Sequence, residues 1–256
     1  SIGQMNNFVS LNDIPTDMIE RIEVYKGIVP YKFGGSALGG AVNVVTKEYP
    51  PIYFDASYEI ASFNTHRLST VLKRTHKPSG LQFGIGGLLT YSDNNYVMTL
   101  HNLNDRRVKR NHDTFKKYII GGSLKATKWW FDELKLECIY TNTHQDIQGI
   151  DLDVREAFNR SRSFTTGLTA KKEQFFIDGL AFNFDFGYSY GKYGLVDKAL
   201  KVYDWDGNVR PSQSSYGGET GIHPYDGHNV SHDIIAKLNL NYTLDQHNSI
   251  NLNIYE

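Results

Sequence analysis

The stretch from residue 180 to 190, LAFNFDFGYSY, leaves a folding chain few choices. Leu180, Phe182, Phe184, Phe186, Tyr188 and Tyr190 fall on one side of an extended backbone. Ala181, Asn183, Asp185, Gly187 and Ser189 fall on the other. A period of two marks a β-strand with one apolar and one polar face. The pattern recurs along the chain. Phe54, Ala56, Tyr58 and Ile60 alternate with Asp55, Ser57 and Glu59. Leu81, Phe83, Ile85, Gly87, Leu89 and Tyr91 share a face, as do Tyr118, Ile120, Gly122, Leu124 and Ala126. Leu134, Leu136, Cys138 and Tyr140 form another set, and Ala236, Leu238 and Leu240 another. These segments run to roughly ten residues, whereas strands of soluble sheets average about 5–6.

From residue 51 onward the joins between segments alternate in length. Residues 76–80, 127–131, 173–177 and 244–249 are short; residues 92–115, 143–162 and 192–230 are long. Only the join near Asn64 departs from the scheme, being short where a long loop is due. Short turns on one rim and long loops on the other, with strands near ten residues, are features of transmembrane barrels. A soluble sandwich has no reason to sort its loops in this way. Phe54, Tyr58, Tyr91, Tyr118, Trp129, Trp130, Tyr140, Tyr188 and Tyr242 lie mostly near strand ends. Tyr and Trp favour the membrane–water boundary, where one end of the ring is dry and the other wet. A mean hydropathy of -0.44 suits a barrel, whose strands alternate, as well as it suits a soluble protein. No apolar run is long enough for a transmembrane helix.

Little else points to chemistry. The net charge is -1, which gives no overall attraction to nucleic acid. The single cysteine, Cys138, rules out an intrachain disulfide and a cysteine-based metal site. The basic run RRVKR, 106–110, lacks interleaved aromatics and reads as a solvated loop. Asp146, Asp151 and Asp153 do not match calcium-loop spacing and read as solvated acids. Asp206-Gly207, flanked by Val202 and Val209, reads as a hairpin tip. His228 and His232 could share a metal only on a helix, and their context is a loop entering a strand. The segment GGSALGG lacks nucleophile-elbow spacing. No catalytic residue, metal set or cofactor is expected.

Residues 31–47, YKFGGSALGGAVNVVTK, raise the question of a phosphate loop. The glycines Gly34, Gly35, Gly39 and Gly40 fit neither nucleotide-binding spacing, and a Val-rich strand follows where a helix would be required. The unit is strand (19–26, IERIEVYK), glycine loop, strand (41–46, AVNVVT), with Pro50-Pro51 as a break. This order closely resembles the C-terminal part of the plug domain of TonB-dependent outer-membrane receptors. Residues 19–27 and 33–47 match that pattern nearly position by position.

The resemblance implies an all-β fold: a fragment of a plugged transmembrane antiparallel β-barrel, with about nine barrel strands present and the end of a small plug domain. Residues 1–50 would be plug and residues 51–256 barrel. It implies TonB-dependent uptake of a scarce nutrient (iron–siderophore, haem, cobalamin or glycan) across the bacterial outer membrane, with no covalent chemistry. The motif residues carried over, with structural or gating roles, are Glu20, Arg21, Glu23, Gly27, Gly34, Gly39, Gly40 and Asn43. The three charges would pair with the barrel wall, and the glycines would permit close fit in a lumen. Partners would be TonB, through a segment upstream of residue 1, outer-membrane lipid and a small nutrient ligand. A surface lipoprotein is the partner in an alternative reading, a docking protein. A soluble all-β hydrolase is the other alternative, and it needs a nucleophile or acid–base cluster. With the final strand, SINLNIYE, and the first both expected as unpaired edges, the piece is not expected to close into a barrel alone.

Overall fold

The computed structural model describes residues 19–26, 40–46, 51–210, 218–221, 224–246 and 248–255. Strands β1 (Ile19–Lys26) and β2 (Gly40–Thr46) pair antiparallel as a sheet of their own. There follow β3 (Ile52–Ala61), β4 (Thr65–His76), β5 (Leu81–Ser92), β6 (Val97–Leu100), β7 (Arg106–Lys109), β8 (Phe115–Ala126), β9 (Glu133–Asp146) and β10 (Phe158–Lys172). The last five are β11 (Leu180–Asp197), β12 (Val202–Tyr203), β13 (Val209–Arg210), β14 (Tyr225–Thr243) and β15 (Ser249–Tyr255). Nine of these form one sheet in the order β15-β14-β11-β10-β9-β8-β5-β4-β3, a meander in which sheet neighbours follow in chain order. The short pairs β6–β7 and β12–β13 are excursions within its long loops. The sheet is open in this chain, with β3 and β15 at its edges.

Cross-strand register shows that the apolar sets share one face. Leu72 lies opposite Ile85, Phe83 opposite Leu124, Leu124 opposite Leu136, and Leu136 opposite Leu168. Leu168 lies opposite Phe186, and Phe184 opposite Leu238, which in turn faces Ile254. This face is the exposed one: Ile60 is 70% accessible, Ile234 64% and Ile120 55%. On the polar face, Ser189 and Thr165 are buried and share a hydrogen bond of 3.2 Å. A soluble sheet buries the opposite side. The arrangement is stable where hydrocarbon covers the apolar face, because backbone groups in a closed sheet are all paired and only apolar side chains meet lipid.

The strands lean. From Leu81 at the short-turn end of β5, the row of opposed residues runs through Ala126, Leu134, Ala170 and Phe184 to Leu238. Leu238 stands five residues above Thr243, the short-turn end of β14. Five steps of about 4.8 Å across and a slip of five residues at about 3.3 Å give a tilt of about 35°, as barrel closure requires.

The sorting of joins holds, with two adjustments. The loops expected at 143–162 and 192–230 shrink to 147–157 and 198–224, because β9, β10, β11 and β14 run on. Pairing persists there after the outward side chains cease to be apolar, at Asn142, Arg162 and Lys192, so alternation ends before the strand does. The join at 62–64 is a tight turn carried by Phe63 (φ 63) and Asn64 (φ 54). Two consecutive left-handed residues suit a hairpin, and Asn tolerates that region well. The Asp206-Gly207 tip stands as expected: Gly207 has φ 84, and the Asp204 carboxylate accepts the amides of Asp206 and Asn208 at 3.0 and 2.9 Å.

Two short turns are tied together at the other rim. The Asp132 carboxylate accepts the backbone N–H of Glu173 at 2.6 Å and the ammonium of Lys172 at 3.0 Å. These bonds hold its carboxyl below the usual range. A depressed folded pKa adds stability above the unfolded value that is lost as pH falls through the folded one. Below about pH 4, the ordinary carboxylate range, the parent therefore loses thermal stability more steeply than Asp132→Asn does. Melting curves between neutral and acid pH measure the difference, and parallel curves would disprove the assignment.

Candidate functional site

The polar face, the paired strands β1 and β2, and the long-loop rim hold the polar groups that could act together. In β1, Arg21 Nε donates to Glu23 Oε1 at 2.8 Å, and its guanidinium reaches Glu20 at 3.2 Å. The hydroxyl of Tyr25 donates to the other oxygen of Glu23 at 2.9 Å. The hydrogen bond to Glu23 raises the Arg21 pKa and fixes the side chain in its charged form. These charges were expected to pair with the barrel wall; within β1, Arg21 pairs with Glu20 and Glu23. Register sets Glu23 opposite Asn43 and Lys26 opposite Gly40. Gly27, Gly34 and Gly39 lie outside the described residues.

The polar face of the large sheet carries a ladder of paired groups, with Ser231 Oγ and Asn241 Oδ1 left without a partner among the described residues. Glu133 accepts from Lys125 at 2.8 Å and from Lys171 at 3.2 Å, and Lys135 meets Glu137 at 2.6 Å. Thr169 donates to Asp185 at 2.7 Å. Asn239 accepts from Asn183 at 3.3 Å and donates to Asn251 and Asn253 at 2.9 and 2.7 Å. Gly84 makes room on this face: a Cβ there would stand 2.8 Å from Ser123 Oγ. Such a wall suits contact with water or with another polar body.

At the rim the three long loops are laced together. The centre is Glu219, whose carboxylate accepts the backbone N–H groups of Arg155 (3.0 Å), Glu156 (2.5 Å) and Ala157 (2.7 Å). Asp197 holds the same segment from below, accepting the amides of Glu219 at 2.9 Å and Thr220 at 2.7 Å and the Thr220 hydroxyl at 2.6 Å. Asp197 is fully buried and Glu219 nearly so. The loop at 93–114 joins through Arg106, which reaches Asp206 at 2.6 Å and the Trp205 carbonyl at 2.9 Å. Trp205 Nε1 donates to Ile150 O at 2.9 Å. The Arg155 guanidinium lies 3.8 Å over the Tyr203 ring.

The acids of this rim divide. Asp151 is exposed, as expected of a solvated acid, and bonds Asn102. Asp153 is buried, and the expectation of solvation fails for it: Arg155 at 2.6 Å and Asn111 at 2.6 Å replace water. Burial pushes the Asp113 carboxyl up, and Arg110 at 2.6 Å only partly opposes this. Burial also acts on Asp204, but the Asn208 side chain, two backbone amides and Arg210 outweigh it and hold that carboxyl low. In RRVKR, Arg106 and Arg110 are paired, whereas Arg107 and Lys109 are exposed on β7. His228 and His232 both lie on β14, four residues apart and about 13 Å along a strand, too far to share a metal.

The Asp197–Glu219 latch is invisible in the sequence. Its donors lie more than sixty residues from Glu219 in chain order, and no spacing rule links them. Taken together, these groups bind and orient; none is arranged as a nucleophile with its base.

Comparison with known proteins gives this arrangement relatives. Residues 2–41 match the TonB-dependent Receptor Plug Domain. Among curated proteins, the ferric enterobactin receptor of Pseudomonas aeruginosa is 30% identical over 88 residues, covering 34% of this chain and 11% of that protein. Among solved structures, the siderophore receptor PirA from Acinetobacter baumannii superposes with a TM-score of 0.60 at 13% identity, over 94% of this chain and 35% of that one. The ferric enterobactin receptor from Pseudomonas aeruginosa in complex with enterobactin gives 0.59 at 15% identity, over 96% of this chain and 37% of that one. The chain thus spans little more than a third of the solved receptors it matches. These relatives are receptors rather than enzymes. Plug sequence, curated relative and sheet architecture point the same way: the chain carries a match to the TonB-dependent receptor plug over residues 2–41, and its large sheet is similar to part of the plugged β-barrel of the solved siderophore receptors.

Proposed function

We propose that the complete receptor imports a ferric siderophore across the bacterial outer membrane, driven through TonB. The observation that carries this reading is the two-faced sheet. Its apolar side is exposed, its polar side is lined by paired groups, and one rim carries laced loops. Residues 1–50 supply the last part of the plug and residues 51–256 the first barrel strands. Glu20, Arg21 and Glu23 stiffen the plug strand through their own ion pairs. By the plug motif, Gly27, Gly34, Gly39, Gly40 and Asn43 have structural or gating roles. TonB engages a segment upstream of this chain. The long loops face outward, where the exposed cations Arg107 and Lys109 suit an anionic ferric chelate. Iron is favoured over haem, cobalamin or glycan because the relatives are named for ferric enterobactin and siderophores.

Radiolabelled iron uptake tests this. The complete receptor is placed in an iron-starved Gram-negative strain stripped of its own ferric receptors. Uptake of a ferric siderophore rises above the empty-vector control and returns to it when TonB is removed. Uptake that persists without TonB, or haem or cobalamin uptake with no ferric siderophore carried, would overturn the proposal.

A further inference from the structure

The outward face changes character just beyond its aromatic positions. Tyr140, Phe164, Tyr190 and His232 lie opposite one another across β9, β10, β11 and β14. The next outward row on the same strands is Asn142, Arg162, Lys192 and Val230, and the one after is His144, Arg160, Gly194 and His228. On β10 and β11, apolar band, ring row and cations follow in that order.

Arg162 and Lys192 stand directly opposite each other, a like-charge pair that costs a sheet stability. Arg160 is two residues along the same face, and these three side chains line one hollow. A single carboxylate answers them: Asp226 meets Arg160 at 3.1 Å and is shared with Lys198 at 2.5 Å. Among the described residues, neither Arg162 nor Lys192 has a hydrogen-bond or ion-pair partner. Gly194, opposite Arg160, keeps the floor bare; a Cβ there would stand 3.5 Å from Arg160 Nε and 2.9 Å from the Gly227 carbonyl. Three cations converge on a space with too little negative charge to balance them.

The position says what would balance them. The hollow sits where hydrocarbon gives way to headgroups, directly above the strip Phe164, Leu168, Phe186 and Ile234. We propose that Arg160, Arg162 and Lys192 bind the phosphate of an anionic lipid of the outer leaflet, whose acyl chains lie along that strip. Arginine forks match phosphate oxygens in pairs, and lysine adds a point charge. The inference rests on the reading that this sheet spans the outer membrane with its long loops outside.

The test uses the complete receptor in detergent, probed by native mass spectrometry. The probes are phosphatidic acid, phosphatidylcholine and soluble glycerol phosphate. The receptor retains phosphatidic acid in preference to phosphatidylcholine, and glycerol phosphate does not displace it. The variant Arg160→Gln/Arg162→Gln/Lys192→Gln loses that retention by about tenfold or more, the scale of lost charge-assisted hydrogen bonds. Lys201→Gln, an exposed loop cation, retains it. Equal retention by the triple variant, or displacement by glycerol phosphate, overturns the lipid site. Heat-modifiable migration is followed on the same samples, and ferric uptake on cells producing the same variants. A receptor that folds and transports but shows no preference defeats this inference alone, whereas one that forms no barrel defeats both.

Discussion

Ile85→Arg destabilises the complete receptor in phospholipid vesicles by about 2–4 kcal/mol, the cost of an arginine near the bilayer midplane. Ile85 is the third of six outward positions on β5, between Phe83 and Gly87, and lies opposite Leu72 and Gly122. It is 46% accessible with nothing packed over it in the chain itself. In water, an exposed isoleucine changed to arginine would matter within about 0.5 kcal/mol. The same substitution therefore separates a lipid face from a solvent face by its size. Thr141→Arg is the companion. It lies on the polar face, opposite Ile119 and Ser163, and costs far less than Ile85→Arg. Reversible urea unfolding followed by tryptophan fluorescence measures both. If the two variants lose equal stability, the assignment of faces is wrong.

Glu219→Ala opens the rim. The nearly buried carboxylate collects three consecutive backbone amides, and truncation leaves the part-buried Arg155 and Glu156 donors and the buried Ala157 donor unanswered. An unsatisfied buried donor costs about 1–3 kcal/mol, and partial entry of water offsets some of it, so the local opening free energy falls by about 2 kcal/mol or more. Hydrogen exchange at those three amides then quickens by roughly 30-fold. Glu156→Ala changes an exposed neighbour and leaves the rates unaltered. Unchanged protection in Glu219→Ala would show that the loops hold together without the latch. Siderophore uptake by the same variant reports whether rim order contributes to capture.

The faces of the sheet were legible because alternation is local: Leu180 to Tyr190 can be sorted by eye, and register then aligned each set with its neighbour. The rim sorting was legible for the same reason. The strand tops were not. Arg160, Arg162 and Lys192 continue the outward positions of their strands but are not apolar, so a hydrophobic pattern ends there while hydrogen bonding continues. The buried acids were not legible either. Glu219 is satisfied by groups far away in the chain, and Asp153 by distant Asn111 as well as by its near neighbour Arg155; burial by tertiary contact leaves no mark on spacing. The plug motif was recognisable as a pattern, but the pairing of Arg21 along its own strand depends on side-chain geometry that a motif does not encode.

The unequal strands have a directional consequence. β5 ends at Ser92, one residue past Tyr91, whereas β14 continues from Ile234 to Tyr225 beyond its apolar stretch. Nine residues at about 3.3 Å, leaning by about 35°, raise that side by about 25 Å. The parapet is therefore lopsided among the described strands. Its low sill runs past the tight turn at Asn64, and its high wall carries the loop that bears Glu219. Among the described strands the rim therefore steps down from β14 toward β3, and the tight turn at 62–64 lies on its low side.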